Sequence, residues 1–126
     1  MVTLIVCIKR KDGMSREDFT RYWRDNHGPL VRSCASFTRY LTGYSQYHLP
    51  AEGDSGGGGS GGGDAEAEFG VAGTYDGIAR LEFRSAEDME RAFADPDYLA
   101  NVRPDEPRFI DIAGCMSFVT EENRVI

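Results

Sequence analysis

The sequence predicts an α+β fold in which two helices cover one face of a four-stranded antiparallel sheet. Two segments share a helical pattern, and each lies between stretches that are typical of strands. These segments, SREDFTRYWRD from Ser15 and SAEDMERAFAD from Ser85, match in their serine, acidic and apolar positions. Equivalent helices at these places give two βαβ units, which is the ferredoxin-like arrangement.

The totals predict one domain over residues 1–126. A content of 40% hydrophobic and 28% charged residues is ordinary for a globular protein, and the formal net charge of -7 argues against nucleic acid or anionic membrane as a partner. No apolar run reaches the roughly 20 residues of a membrane span, and Lys9 to Lys11 interrupt the first run too early for a signal peptide. We therefore expect a cytoplasmic protein. Reduced thiols are predicted for its three cysteines, Cys7, Cys34 and Cys115.

The first predicted strand, Val2 to Ile8, is apolar on both alternating faces. Such a strand is covered on both sides. Since the two helices cover only one face of the sheet, we expect two copies of the chain to pack through the other face as a homodimer.

The first predicted helix begins after Ser15, a good N-cap residue. Trp23 and His27 are four positions apart and therefore share the buried face of this helix. Gly28 and Pro29 are expected to end it, with Gly28 at the positive φ of a helix C-terminus. His27 is then expected at the end of the buried face, beside an opening.

A second strand is predicted from Phe37 to Leu49. Its alternation places Tyr40, Tyr44 and His48 on one face, and Arg39, Leu41 and Tyr47 on the other.

Residues 51–68 are Gly/Ser-rich and acidic, and they predict a flexible insertion. After a turn at Tyr75 to Gly77, a third strand is expected over Ile78 to Phe83 and the second helix over Ser85 to Asp95. The last strand is predicted from Phe109 to Val119, and it contains Asp111 among apolar residues.

Several motifs resemble the EthD family of the dimeric α+β barrel superfamily, and the similarity covers nearly the whole chain outside the glycine stretch. They are Phe19-x-x-x-Trp23-x-x-x-His27-Gly28-Pro29-Leu30-Val31, Arg39-Tyr40, Tyr75-Asp76-Gly77 and Phe118-Val119-Thr120-Glu121-Glu122. The chain departs from the family in its glycine insertion and in Leu41-Thr42-Gly43-Tyr44, where relatives often carry Asn-x-His. The resemblance implies the fold and the dimer. It also implies chemistry like that of decarboxylases or dehydratases of aromatic polyketides.

His27 is the first candidate catalytic residue, because the pKa of a free imidazole lies near physiological pH and suits proton transfer. Its alternative role is to cap its helix. Tyr40 is a candidate to bond an enolate or carbonyl oxygen. Asp111 would be costly to bury alone, so we expect it to pair with an arginine or histidine, most simply as an ion pair at the dimer interface, or to belong to the site. The candidate substrate contacts, with packing as the alternative for each aromatic residue, are Tyr22, Trp23, Arg39, Tyr44 and His48.

Three functions remain open from the sequence. The first is a cofactor-independent enzyme in which His27 moves a proton on a small cyclic or aromatic carbonyl compound, by lyase, cyclase or isomerase chemistry. The second is a cofactor-free monooxygenase of an electron-rich phenol or anthrone, and the third is an accessory protein that binds a small ligand without changing it. No cofactor and no metal are predicted, since the spacing of His27 and His48, the two histidines, resembles no zinc or iron site.

Overall fold

The computed structural model describes residues 1–50 and 75–126, so the insertion predicted at 51–68 lies outside the described residues. The strands and helices in chain order are β1 (Val2–Ile8), α1 (Arg16–Tyr22), α2 (Gly28–Ser33), α3 (Ala35–Thr38), β2 (Leu41–His48), β3 (Gly77–Phe83), α4 (Ala86–Phe93) and β4 (Met116–Thr120). Two π-helical turns cover Trp23–His27 and Tyr98–Val102, and two 3₁₀ turns cover Arg103–Arg108 and Ile112–Gly114.

The four strands form one antiparallel sheet in the order β2-β3-β1-β4. Both central strands pair along their whole length, since Val2 lies opposite Phe83 and Ile8 lies opposite Gly77. This order confirms the α+β, ferredoxin-like fold predicted from the two similar helices.

The two faces of the sheet differ in their environment. Leu4 and Val6 of β1 lie opposite Leu81 and Ala79 of β3, and all four contribute to the core beneath the helices. The other face, which we call the open face, carries exposed apolar side chains from β2, β3 and β4. Tyr47 is 49% exposed, Ile78 38%, Met116 48% and Phe118 47%.

The core between the helices and the sheet is built mainly from aromatic rings. Phe19 and Trp23 of the first helical segment are at most 1% exposed, with their ring centroids 5.6 Å apart. Phe37 stacks on Tyr98 at 4.6 Å on the other side of the core. Phe109 is fully buried against Phe19 at 5.7 Å. These rings fix the positions of the segments that line the site.

Both helices begin as the sequence predicts. The Ser15 hydroxyl accepts a hydrogen bond from the Asp18 backbone N–H at 3.1 Å, and the Ser85 hydroxyl accepts one from Asp88 at 3.1 Å. Each serine thereby satisfies a backbone donor that the first turn leaves free.

The predicted end of the first helix at Gly28 is wrong. Gly28 has φ -55° and ψ -53°, and the chain continues through α2 to Ser33. Without a Cβ, Gly28 avoids much of the clash that Pro29 imposes on a preceding residue, and Pro29 lies in the first turn of α2, where its missing N–H is not needed. The helical path widens into a π turn just before this point, where the Gly28 N–H bonds to the Trp23 carbonyl.

The second strand begins at Leu41 instead of Phe37. Phe37 belongs to α3, where its ring is buried in the core, and Tyr40 precedes the strand. An irregularity between Leu41 and Gly43 also changes the alternation, because Leu41 lies opposite Phe83. Leu41 therefore shares the helix-facing side with Tyr44, contrary to the prediction.

The last strand is shorter than predicted, because it begins at Met116. Asp111 lies before it and caps the 3₁₀ turn Ile112–Gly114, accepting from the Gly114 N–H at 3.3 Å. Within its own chain, Asp111 therefore caps this turn and forms no ion pair with an arginine or a histidine of the described residues, while a pair across a dimer interface stays a prediction. Its flanking apolar residues pack where the chain turns and do not form a strand.

Cys7, Cys34 and Cys115 are free thiols, and Cys34 is buried. Each helix within 1–50 and 75–126 is too short or too polar to cross a lipid bilayer.

Candidate active site

A cavity of about 460 Å³ lies between the helices and the sheet. Its volume falls within the range of small-molecule sites. Ile112 and Met116 line it and are each about half exposed, which places its opening beside the start of β4. Most of its wall is apolar, with contributions from Leu4, Val6, Trp23, Val31, Phe37, Leu81, Phe93 and Val102.

His27 ends the π turn Trp23–His27 and is only 6% exposed. Its Nδ1 lies 2.9 Å from Oδ2 of Asp105, and its ring packs on Phe109 with the centroids 4.9 Å apart. An ionised carboxylate can only accept, so Nδ1 carries the proton, and in the neutral imidazole Nε2 keeps a lone pair that no described residue engages. Because His27 also lines the cavity, Nε2 is the nitrogen left to act on a molecule inside it.

Asp105 holds a second partner besides His27. Its Oδ1 accepts from the Tyr22 hydroxyl at 2.5 Å, and its side chain is 11% exposed. Burial, together with the bond to Asp105, raises the pKa of Tyr22, so that the phenol remains a donor at neutral pH. Tyr22 and His27 thus fix both oxygens of one carboxylate, which in turn fixes the tautomer and the orientation of the imidazole.

Tyr44 lines the same cavity from β2. The Gln46 amide nitrogen donates to the Trp23 carbonyl at 3.0 Å and to the Tyr44 oxygen at 3.2 Å. Because the amide can only donate there, it leaves the phenol proton of Tyr44 available to another acceptor. Burial raises the pKa of Tyr44 and keeps this proton in place.

His48 contacts both Gln46 and Trp23 and thereby helps to hold the Gln46 amide in place. Its Nε2 lies 2.8 Å from the Gln46 amide oxygen, and its ring packs on Trp23 with the centroids 4.5 Å apart. The amide oxygen of Gln46 accepts, so Nε2 of His48 is the protonated nitrogen. Burial, and to a smaller extent the charge of Arg24, lower the pKa of His48.

A second polar group lies on the cavity wall. The Tyr98 hydroxyl donates to Oε2 of Glu106 at 2.8 Å, and the Arg103 Nε donates to the Tyr98 oxygen at 3.2 Å. Arg103 Nε is also 3.4 Å from Oε1 of Glu106. The 3₁₀ turn Arg103–Arg108 thus supplies two carboxylates in succession, Asp105 toward His27 and Glu106 toward Tyr98.

The structure brings three predicted site residues, His27, Trp23 and Tyr44, to the wall of the cavity. Tyr22 and His48 lie one contact behind it. The described cavity wall does not include Arg39, Tyr40 or Asp111. Arg39 and Tyr40 form a cation–π pair, with the Arg39 Cζ 4.8 Å from the centroid of the Tyr40 ring.

Sequence reasoning missed Asp105, Glu106, Tyr98 and Gln46. The one available signal was that a buried histidine needs a partner, which draws attention to the carboxylates of Pro104-Asp105-Glu106-Pro107, directly before the apolar Phe109.

Comparisons with known proteins show which family the chain resembles. The EthD domain matches residues 11–113 of the chain. A curated relative from Metarhizium robertsii, described as conidial pigment biosynthesis dehydratase EthD, is 30% identical over 111 residues, which cover 88% of this chain and 75% of that protein.

Solved structures share the fold. A dimeric protein of unknown function with a ferredoxin-like fold from Bacteroides fragilis has a TM-score of 0.62 at 12% identity, covering 96% of this chain and 95% of that one. SnoaB, a cofactor-independent oxygenase from Streptomyces nogalater, has a TM-score of 0.54 at 10% identity, covering 99% of this chain and 95% of that one. At these identities the likeness is one of fold alone.

Proposed function

The chain belongs to the EthD family, and from that premise we propose that it is a cofactor-independent enzyme that moves a proton beside the carbonyl group of a small cyclic or aromatic compound. The observation that carries this proposal is the buried His27–Asp105 pair at the wall of an apolar cavity. A relative described as a dehydratase supports lyase chemistry among the options.

His27 is the proposed base. Its Nε2 takes a proton from the carbon next to the carbonyl group, and the electron pair of that C–H bond moves onto the carbonyl oxygen to give an enolate. The imidazolium that forms is stabilised by Asp105, which keeps its hydrogen bond to Nδ1 throughout. In a dehydration, the enolate re-forms the carbonyl and expels a hydroxyl group from the next carbon, and that group takes the proton from Nε2 and leaves as water.

Tyr44 is the proposed donor to the enolate oxygen. Tyr44 lines the cavity, and the Gln46 amide donates to its oxygen, which leaves the phenol proton available for the substrate. A donor that is fixed before the reaction stabilises developing negative charge more strongly in an apolar site than in water. We therefore propose that Tyr44, and not Tyr40, donates the hydrogen bond to the enolate oxygen.

We further propose that the chain is a homodimer through its open face. Exposed apolar side chains from three strands, β2, β3 and β4, on one face of a sheet are unusual for a monomer and mark an interaction surface. The Bacteroides fragilis protein of the same fold is described as dimeric. Sedimentation velocity of the chain and of a Phe118→Asp variant tests this, with dimer expected for the first and monomer for the second.

The reaction class is tested with a simple bicyclic ketone, 6-hydroxy-1-tetralone, in D₂O. The proposal predicts deuterium uptake at the carbon next to the carbonyl, followed by NMR, at a rate well above that of buffer. Oxygen consumption without deuterium uptake would favour the monooxygenase alternative. Binding without either change would favour the accessory protein.

A further inference from the structure

The second polar group on the cavity wall, Glu106 with Tyr98 and Arg103, has unused acceptor positions. Glu106 lines the cavity, and its side chain is 21% exposed. Its Oε2 accepts a hydrogen bond from the Tyr98 hydroxyl at 2.8 Å. An ionised carboxylate has about four lone-pair positions. The Tyr98 hydroxyl contacts Oε2, and the Arg103 Nε contacts Oε1 at the longer distance of 3.4 Å.

Glu106 lines a mostly apolar cavity, and among the described residues only Tyr98 and Arg103 contact its oxygens. A partly buried carboxylate with unused acceptor positions favours a molecule that donates to it. Arg103 already balances the negative charge, so a neutral donor such as a hydroxyl group suits this position better than a second cation.

We propose that Glu106 recognises a hydroxyl group on the substrate and thereby selects hydroxylated cyclic ketones over unsubstituted ones. The inference rests on the proposed function, since it assumes that the carbonyl end of the same molecule lies against His27 and Tyr44. The hydroxyl group donates to Oε1 of Glu106, while Tyr98 holds Oε2. Glu106 is a specificity residue here and takes no proton from the reacting carbon.

Tyr98 is then a positioning residue for Glu106. It is 3% exposed and stacks on Phe37 at 4.6 Å, so its hydroxyl is held by the core. The Arg103 Nε donates to the same oxygen, which leaves the Tyr98 proton directed to Glu106. The carboxylate consequently keeps one orientation in the empty cavity.

The experiment measures binding, so its outcome does not depend on turnover. The ligands are 1-tetralone, its 5-, 6- and 7-hydroxy derivatives, and the matching methoxy compounds, which cannot donate. Trp23 is the single tryptophan of the chain and lines the cavity, so that quenching of its fluorescence reports binding. We expect at least one hydroxy compound to bind about tenfold or more tightly than both 1-tetralone and its own methoxy counterpart.

Glu106→Gln is expected to reduce this preference to within about twofold while the affinity for 1-tetralone stays nearly unchanged. The matched control is Glu90→Gln, an exposed glutamate on α4, which should keep the full preference. If the Glu106 variant fails to fold, equal affinity of the wild-type protein for the hydroxy and methoxy compounds would still overturn the inference.

Equal affinity for hydroxy, methoxy and unsubstituted ketones would overturn this inference and leave the proposed proton transfer standing. A preference that survives in Glu106→Gln would also overturn it. If no tetralone binds, both proposals fail together. If the preference for hydroxy compounds depends on Glu106 but the protein catalyses no deuterium uptake, the proposed function is contradicted and this inference stands.

Discussion

Asp105 lies 2.9 Å from His27 through its Oδ2, although the two residues are 78 positions apart in the chain. Tyr22 holds the other oxygen of the same carboxylate, and all three side chains are largely buried. This contact converts an imidazole at the wall of a cavity into one with a defined tautomer and a free Nε2.

Asp105→Asn should lower the rate of deuterium uptake by roughly 10²- to 10⁴-fold. The amide can donate to Nδ1 and thereby stabilise the other tautomer, in which Nε2 carries the proton and cannot act as a base. The rate is followed by NMR of the ketone. Asp25→Asn, which removes an exposed carboxylate paired with Arg24, is the matched control and should keep the full rate. A wild-type rate for Asp105→Asn would show that the carboxylate does not orient His27.

Tyr44→Phe should slow the same reaction by roughly 10- to 10³-fold, because it removes one donor to the enolate oxygen. The ring is retained, so the packing of the cavity wall and the affinity for the ketone should change little. Tyr40→Phe tests the earlier assignment and should have no effect, since Tyr40 lies outside the described wall of the cavity. A loss in Tyr40→Phe with none in Tyr44→Phe would reverse the two roles.

Gly77→Ala should destabilise the protein by about 1–3 kcal/mol. A Cβ at this position would lie 2.5 Å from Cζ3 of Trp23 and 3.2 Å from the Tyr47 carbonyl, and a packed ring and a backbone atom have little room to move. Denaturant unfolding gives the free energy, and Trp23 emission should shift as the ring is displaced.

Gly43→Ala is the control for this substitution in the neighbouring strand. Its Cβ would meet Oε1 of Glu82 at 3.0 Å, which is the far end of a flexible side chain that can turn aside. We expect a cost below that of Gly77→Ala. Equal costs for the two variants would mean that contact with Trp23 is not the reason for glycine in the Tyr75-Asp76-Gly77 motif.

His48 should make the protein less stable as the pH falls through about 6.5, its ordinary pKa. Burial lowers the pKa of His48 in the folded chain, so the unfolded chain binds the proton at a higher pH. Proton binding then stabilises the unfolded state relative to the folded state. The free energy of unfolding should therefore fall between pH 7.5 and pH 5.5, and His48→Gln should reduce that fall. An identical fall in both proteins would contradict the role of this ring.

Local features of the fold could be predicted from the sequence because they depend on residues close together in the chain. Ser15 and Ser85 cap helices through contacts three positions away, and the alternation of β1 sets which side chains face the core. Two similar helical segments, each between two strands, then predict two βαβ units and with them the ferredoxin-like sheet.

The errors share a physical cause. The π turn before Gly28, the irregularity at Leu41 and the turn capped by Asp111 each depart from a regular helix or strand, and periodicity predicts regular elements only. In the site, His27 could be identified because it ends a strong helical pattern. Its partner Asp105 could not, because it lies in a proline-rich turn with no periodic pattern.

The central claim, that Nε2 of His27 moves a proton, is tested most directly by deuterium uptake into 6-hydroxy-1-tetralone catalysed by His27→Asn. The asparagine amide can still donate to Asp105, so the fold and ketone binding should be largely preserved, as thermal unfolding and Trp23 fluorescence can verify. We expect uptake to fall to the buffer rate in this variant. Uptake at the wild-type rate by a folded, ketone-binding His27→Asn protein would contradict the account.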